Sequence, residues 1–440
     1  MEVWRVLGTL ALLLTTVGTS RAQSYALVEP SRVGDCLRVH LEMKLSGEIR
    51  LNQRGKIVPI RLEASAEHEY PERILSVGRQ GLPDKAVRFY EKAHAEIATN
   101  NDSTERGLRP ERRLFVAQRY KDQLLVYAPA GAITRDEQQL TGEHFDSLCV
   151  TGILPTKEVT IGDSWKIANA EVQALCGFEG LTEQDLNAKL ESVADQKAHI
   201  AITGTATGID VGALVRLTIE ASAEFDLATQ RITSLHWKQI NNRDQGPASP
   251  ASTTQTNIVL TRAALEVPKN LSDVALVTVP EGFEPPLAMT SLEFRDPKSR
   301  FIMNYGREWQ TVSRTDEHLV LRLMERGDFV AQATLSPWTK AEKGKHLSGE
   351  EFQEAMDATP GWQPEKVLQT GEVPAEGGRW MYRISALGKL DGSEVMQNFY
   401  LIASPEGEQL VIAFTMTPKQ AERLGTRDLA LAGSIELIDK

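Results

Sequence analysis

Gly162-Asp163-Ser164 is the sequence's nearest approach to a hydrolase nucleophile. A nucleophilic serine needs a base within reach and donors for the developing oxyanion. An upstream counterpart weakens that reading. Val33-Gly34-Asp35-Cys36-Leu37-Arg38-Val39 returns as Ile161-Gly162-Asp163-Ser164-Trp165-Lys166-Ile167, so the shared Gly-Asp reads as a duplicated turn. No Gly-x-Ser-x-Gly elbow occurs elsewhere. The eight histidines are scattered, and no His-Glu-x-x-His brings two to one helix face. Sixty acidic residues allow many carboxylate pairs, but nothing marks two of them. Neither a phosphate-cradling loop nor a dinucleotide fingerprint is present. No catalytic, metal-ligating or cofactor-binding residue is therefore assigned, and no cofactor is expected. The aromatic residues are the better lead. Trp338 follows Pro337, and Trp362 lies between Gly361 and Gln363. Both positions read as loops, where an exposed indole would mark a contact with a partner. Of the three cysteines, Cys149 and Cys176 flank one loop-rich region and are the pair expected if any disulfide forms, with three buried reduced thiols as the alternative.

The elements that must position these residues are repeated. Glu63-Ala64-Ser65-Ala66-Glu67 recurs as Glu220-Ala221-Ser222-Ala223-Glu224, in each copy sixteen residues after a glycine, Gly47 or Gly204. Arg73-Ile74-Leu75-Ser76-Val77 matches Arg231-Ile232-Thr233-Ser234-Leu235. The offset between copies grows from 128 to 157, so copy two carries an insertion of 29 residues. Within the copies apolar residues alternate with polar ones, as in Leu217, Ile219, Ala221, Ala223 and Phe225. That period predicts half-buried antiparallel strands. Helices are expected over Pro83–Ala98, over the insertion segments Ala168–Leu175 and Thr182–Val193, and after the capping pair Thr134 and Glu137. Asp102–Glu111 reads as a charged loop.

The first 22 residues read as an export signal with an apolar run from Val6 to Val17 and a mature start at Gln23. The run is too short to span a bilayer, and membrane contact is expected only if this segment stays uncleaved. The formal charge of −11 becomes −12 on cleavage, which argues against nucleic-acid binding. The expected location is secreted or periplasmic.

Residues 23–266 read as the tandem β-rich domain, with copies over about 30–130 and 158–266. The Pro- and Gly-rich stretch 267–286 reads as a linker. Residues 287–440 read as strands at Arg300–Tyr305, His318–Glu325 and Phe329–Leu335, then a helix capped by Ser348 and Glu351. Strands at Val367–Gly371, Trp380–Leu387, Asn398–Ala403 and Leu410–Met416 follow, and then a helix from Pro418. The fold class expected from this pattern is α+β.

Two resemblances attach to these segments. Ala132-Ile133-Thr134-Arg135-Asp136-Glu137, Ile153-Leu154-Pro155, Val159 to Trp165 and Phe225 to Thr229 resemble an extracytoplasmic family of unknown function common in planctomycete-type bacteria. That resemblance covers roughly Tyr25 to Glu266 and implies a fold and a compartment but no activity. The last segment resembles the Mog1/PsbP-like α/β sandwich through its element order and Tyr305-Gly306-Arg307-Glu308-Trp309, with Gly306 where that family has proline. This resemblance implies an interaction module. The expected function is a non-catalytic binding or protein-interaction protein of the cell envelope. Two alternatives stand beside it: a carrier of an apolar ligand near the small residues Ala64, Ala66, Ala221 and Ala223, and an envelope hydrolase using Ser164 or an unmarked carboxylate pair.

Overall fold

A computed structural model describes residues 23–438, apart from 54, 79, 80, 101, 121, 122, 143 and 144. The expected export signal lies outside the described residues. The chain is 56% strand and 13% helix, arranged in several antiparallel sheets. It is therefore β-rich, and the α+β expectation is corrected. Two stretches account for much of the difference. Pro83–Ala98 forms the strands Pro83–Phe89 and Lys92–Thr99, and Thr182–Val193 lies in the strands Gly180–Gln184 and Asn187–Ala194. Pro83–Phe89 is largely buried on both faces, so its apolar residues show no alternation and imitate helical spacing. The segment Asp102–Gly107 is a strand as well. Of the expected helices in the insertion, the first forms, over Asn169–Leu175. The helix Arg135–Gly142 also forms, with Thr134 and Glu137 exchanging the two expected hydrogen bonds.

The two copies share one fourteen-stranded sheet. They meet where Ala251–Ala264, the last strand of copy two, pairs with Cys36–Gln53, the first of copy one. Each copy holds the same hairpin. Gly47 lies opposite Leu62, and Gly204 lies opposite Ile219, each the residue before the repeated Glu-Ala-Ser-Ala-Glu. Both glycines are needed for space. A Cβ on Gly47 would clash with the Thr253 carbonyl, and one on Gly204 with the Asp185 carbonyl, each on a neighbouring segment. Gly47→Ala and Gly204→Ala are each expected to cost about 1–3 kcal/mol by forcing the sheet apart, read as a lowered denaturation midpoint. A midpoint unchanged in both variants would show that the close approach is not required.

The third matched segment is not equivalent in three dimensions. Arg73–Val77 continues the strand Lys56–Val77, whereas Arg231 opens a new strand after a turn. The counterpart of that new strand is Lys92–Thr99: Ala64 pairs with Ile97 as Ala221 pairs with Trp237.

The Gly-Asp pairs are turns in both copies. The Asp35 amide donates to the Arg32 carbonyl at 3.1 Å, and Asp163 does the same to Thr160 at 3.0 Å. Gly34 and Gly162 sit third in these turns at φ +93° and +97°, the position that demands glycine in a type II turn. Each aspartate carboxylate accepts the amide three residues back, from Arg32 or Thr160.

Residues 267–286 lie across the sheet rather than hanging free. Leu271 is buried with Cys36 and Val87 in a small core. The Lys85 ammonium donates to the carbonyls of Pro280 and Gly282. The last part of the chain adds a seven-stranded antiparallel sheet and a four-stranded one. The latter takes in Ile133–Thr134, which pairs in parallel with Leu292–Glu293. Arg109 ties the same junction, gripping Glu137 at 2.7 and 2.8 Å and Glu293 at 2.9 Å. Burial pushes the Glu137 carboxyl up, but Arg109 and the Thr134 amide outweigh it and hold it below the usual range. Among the described residues no helix is long and apolar enough to cross a membrane.

Candidate functional site

The most organised aromatic surface lies on the seven-stranded sheet, beside the helix Gly349–Asp357. That helix begins as its sequence demands. The Ser348 hydroxyl accepts from the Glu351 amide at 3.2 Å, and the Glu351 carboxylate accepts from the Ser348 amide at 2.8 Å. Phe352 and Met356 then enter a core with Ile384, Phe399, Leu401 and Val411. Trp338, Leu347, Trp380 and Tyr382 pack against the same core and remain half-buried. Trp380 and Tyr382 are two apart on the strand Trp380–Leu390, so they share a face. Their rings lie 5.6 Å apart at 18°, and His346 stacks on Trp380 at 3.7 Å and 13°. Gly349 makes room for this arrangement, because a Cβ there would strike the Tyr382 ring.

The loop that carries His346 is fastened along its length to the turn at 404–409. The amides of Ala341 and Gly344 donate to the carbonyls of Gly407 and Pro405 at 2.9 and 2.8 Å. The side chain of Gln409 accepts from the Leu347 amide and donates to the Thr339 carbonyl. Lys340 pairs with Glu408 and Lys343 with Glu406, each at 2.6 Å. These pairs leave the rim nearly neutral. His346 Nδ1 lies 2.8 Å from the Leu347 carbonyl. A carbonyl only accepts, so Nδ1 carries a proton there, and Nε2 is the ring's other hydrogen-bonding atom. The result is a rigid aromatic shelf with one hydrogen-bonding edge. It suits stacking and apolar contact.

The residues expected from sequence fall on both sides of this result. Trp338 ends the strand Asp328–Trp338 and belongs to the shelf's surroundings. Trp362 does not. It opens the strand Trp362–Glu372, is only 5% exposed and packs edge-on against Phe399 at 6.1 Å. The expected Cys149–Cys176 disulfide is absent: all three cysteines are free. Cys149 is buried beside Arg119 and Asp146, and burial followed by the Asp146 charge pushes its thiol up. Burial pushes the Cys176 thiol up to about 12. Neither favours a reactive thiolate at neutral pH. Ser164 is exposed and opens a three-residue strand opposite Lys189, with Asp163 committed to Thr160. Among the described residues no three His, Cys, Asp or Glu side chains are placed to hold a metal ion.

Trp380-x-Tyr382 was visible in the sequence as an aromatic pair with strand spacing. The stacking of His346 was not, because it depends on where a loop 34 residues away is pinned. Elsewhere, an open groove of about 590 Å³ is lined by Gly47, Glu48, Pro59, Arg61, Asn100 and Thr253. Of the four alanines read as room for an apolar ligand, Ala221 and Ala223 are packed in the main core, and Ala64 and Ala66 are half-buried.

No protein-family model matches the sequence, and no curated protein matches it, so the planctomycete-type family is without support. Solved structures give distant likenesses. Cyanobacterial PsbP from Synechocystis sp. PCC 6803 is 14% identical, with 36% of this chain and 98% of that one covered at a TM-score of 0.27. The Ran-binding protein Mog1p of Saccharomyces cerevisiae is 11% identical, over 34% of this chain and 96% of that one, at 0.27. A lipovitellin structure is 10% identical, over 54% of this chain and 25% of that one, at 0.30. The first two of these each cover about a third of this chain. At these scores nothing about ligand or activity follows from the likeness.

Proposed function

We propose that this is an exported, non-catalytic interaction protein of the cell envelope that binds a protein partner through the shelf at His346, Trp380 and Tyr382. The supporting observation is the stack itself, half-exposed and held on a fastened loop. Tryptophan and tyrosine are over-represented among residues that dominate binding energy. A surface fixed in advance loses little entropy when a partner docks. The neutralised rim favours a partner whose contacting surface is apolar and uncharged.

Trp380→Ala is expected to weaken such a complex by at least about 2 kcal/mol, roughly 30-fold in Kd. His346→Ala, at an exposed position, tests the shelf without touching the core. Pull-down from envelope extract followed by titration of the recovered partner measures both. Equal recovery by the wild type and both variants would remove the proposal. Export itself predicts that the mature protein begins at Gln23, which N-terminal sequencing of the envelope form reads directly. A form starting at Met1 in the cytosol would contradict it.

A further inference from the structure

A cavity of about 20 Å³ lies where the two copies meet, lined by Glu29, Glu72, Ser147, Thr151, Arg231 and Arg262 among others. These residues come from the N-terminal arm, copy one, the short helix Ser147–Ile153 and copy two. Most of the lining charge is already matched. Arg262 meets Glu29 at 2.6 Å, and Arg88, reaching in from the strand Pro83–Phe89, meets Glu72 at 2.6 Å. The Ser147 hydroxyl accepts from Arg88 at 2.9 Å. Two buried polar atoms of the lining residues have no hydrogen-bond partner: Thr151 Oγ1 and Arg231 Nε. Thr151 is only 7% exposed. Leaving such atoms unpaired is costly.

We infer that this cavity is a specific hydration site, holding one water that accepts from Arg231 Nε and bonds to the Thr151 hydroxyl. Three properties select that ligand. The volume admits a water and nothing much larger, since about 10–15 Å³ by this measure is the minimum for one. An arginine N–H requires an acceptor, while a hydroxyl takes either a donor or an acceptor, and water supplies both roles. An anion would also accept from both, but the carboxylates of Glu29 and Glu72 line the same space and repel it. The water joins Arg231 of copy two to the helix Ser147–Ile153, whose Ser147 is already tied to copy one through Arg88.

A high-resolution crystal structure of the full chain tests this, with a second crystal soaked in bromide and a third of Thr151→Val. The expected result is a water within about 2.7–3.2 Å of both Thr151 Oγ1 and Arg231 Nε. No anomalous bromide signal should appear there, and the water should be lost or displaced in the valine variant. A dry cavity in the wild type, a bromide peak at Arg231, or a water that stays in place in Thr151→Val would each overturn the assignment.

Discussion

Asp428→Ala is expected to destabilise the protein by about 3–5 kcal/mol, the usual result of removing one partner from a buried charged network. Asp428 is 1% exposed, on the helix Arg427–Gly433. One carboxylate oxygen accepts from Asn398 at 2.7 Å, Tyr400 at 2.9 Å and Arg383 at 3.2 Å. The other accepts from the Leu429 amide at 2.8 Å. Ser385 extends the chain by donating to Asn398 at 2.8 Å. Burial and the Asp428 charge both push the Tyr400 hydroxyl up, so it stays protonated and remains a donor. Alanine would leave the Asn398 and Tyr400 donors buried without an acceptor and remove the charge partner of the partly exposed Arg383. Asparagine keeps the shape, but one of its two ends must present a donor to a donor. Its cost should fall between those of wild type and alanine, in the range of one unsatisfied buried group, about 1–3 kcal/mol. Chemical denaturation of the three proteins gives the order directly. An alanine variant within about 1 kcal/mol of wild type would mean that water replaces the carboxylate, contrary to its burial.

The second large effect is expected at Arg88 and Glu72, which are 3% and 5% exposed. Arg88 donates to Glu72 and to Ser147, and its guanidinium lies over the Tyr70 ring at 5.3 Å. It thereby fastens the strand Pro83–Phe89 to Lys56–Val77 and to the helix Ser147–Ile153. Arg88→Ala strands a carboxylate in the interior and should cost about 3–5 kcal/mol. The double variant Arg88→Met with Glu72→Leu removes both charges and fills similar volume. It should lie much closer to wild type, because an apolar replacement of a whole buried pair is often neutral or stabilising. The contrast between single and double variants, read from denaturation midpoints, separates a charge requirement from a packing requirement. A double variant as unstable as the single would show that shape, not charge balance, holds these strands.

Local regularities carried the legible part of the fold. Alternation in Cys36–Gln53, Lys56–Val77 and Ala213–Asp226 announced strands, and the sixteen-residue spacing from Gly47 and Gly204 announced a repeated hairpin register. The capping pairs at Thr134 and Ser348 announced two helices. The errors arose where local signals had a second solution. Ala93, Ala95 and Ile97 alternate with Lys92, His94 and Glu96, yet the doubly buried residues before them read as helical. Pairing with Lys56–Val77 settles the matter, and that partner is distant in sequence. Thr182 and Asp185 look like a helix cap until Asn187–Ala194 pairs with Lys197–Asp210. The similarity of Arg73–Val77 to Arg231–Leu235 reflects strand composition rather than position in the fold.

The site was legible only in part, for the same reason. Flanking glycine and proline made Trp362 and Trp338 look like loop residues. Trp362 is instead the edge of a core, where Phe352 and Phe399 meet it from other elements. The shelf exists because Gln409 and Gly407 pin a distant loop, so that His346 reaches Trp380. No spacing rule connects those residues.

The shelf is the surface proposed to meet a partner. A photoreactive residue placed at position 346 in cells tests it most directly, with the same residue at exposed position 240 as the control. A specific adduct to one protein is expected from position 346 and none from position 240. Adducts from position 240 alone, or from neither position, would contradict it.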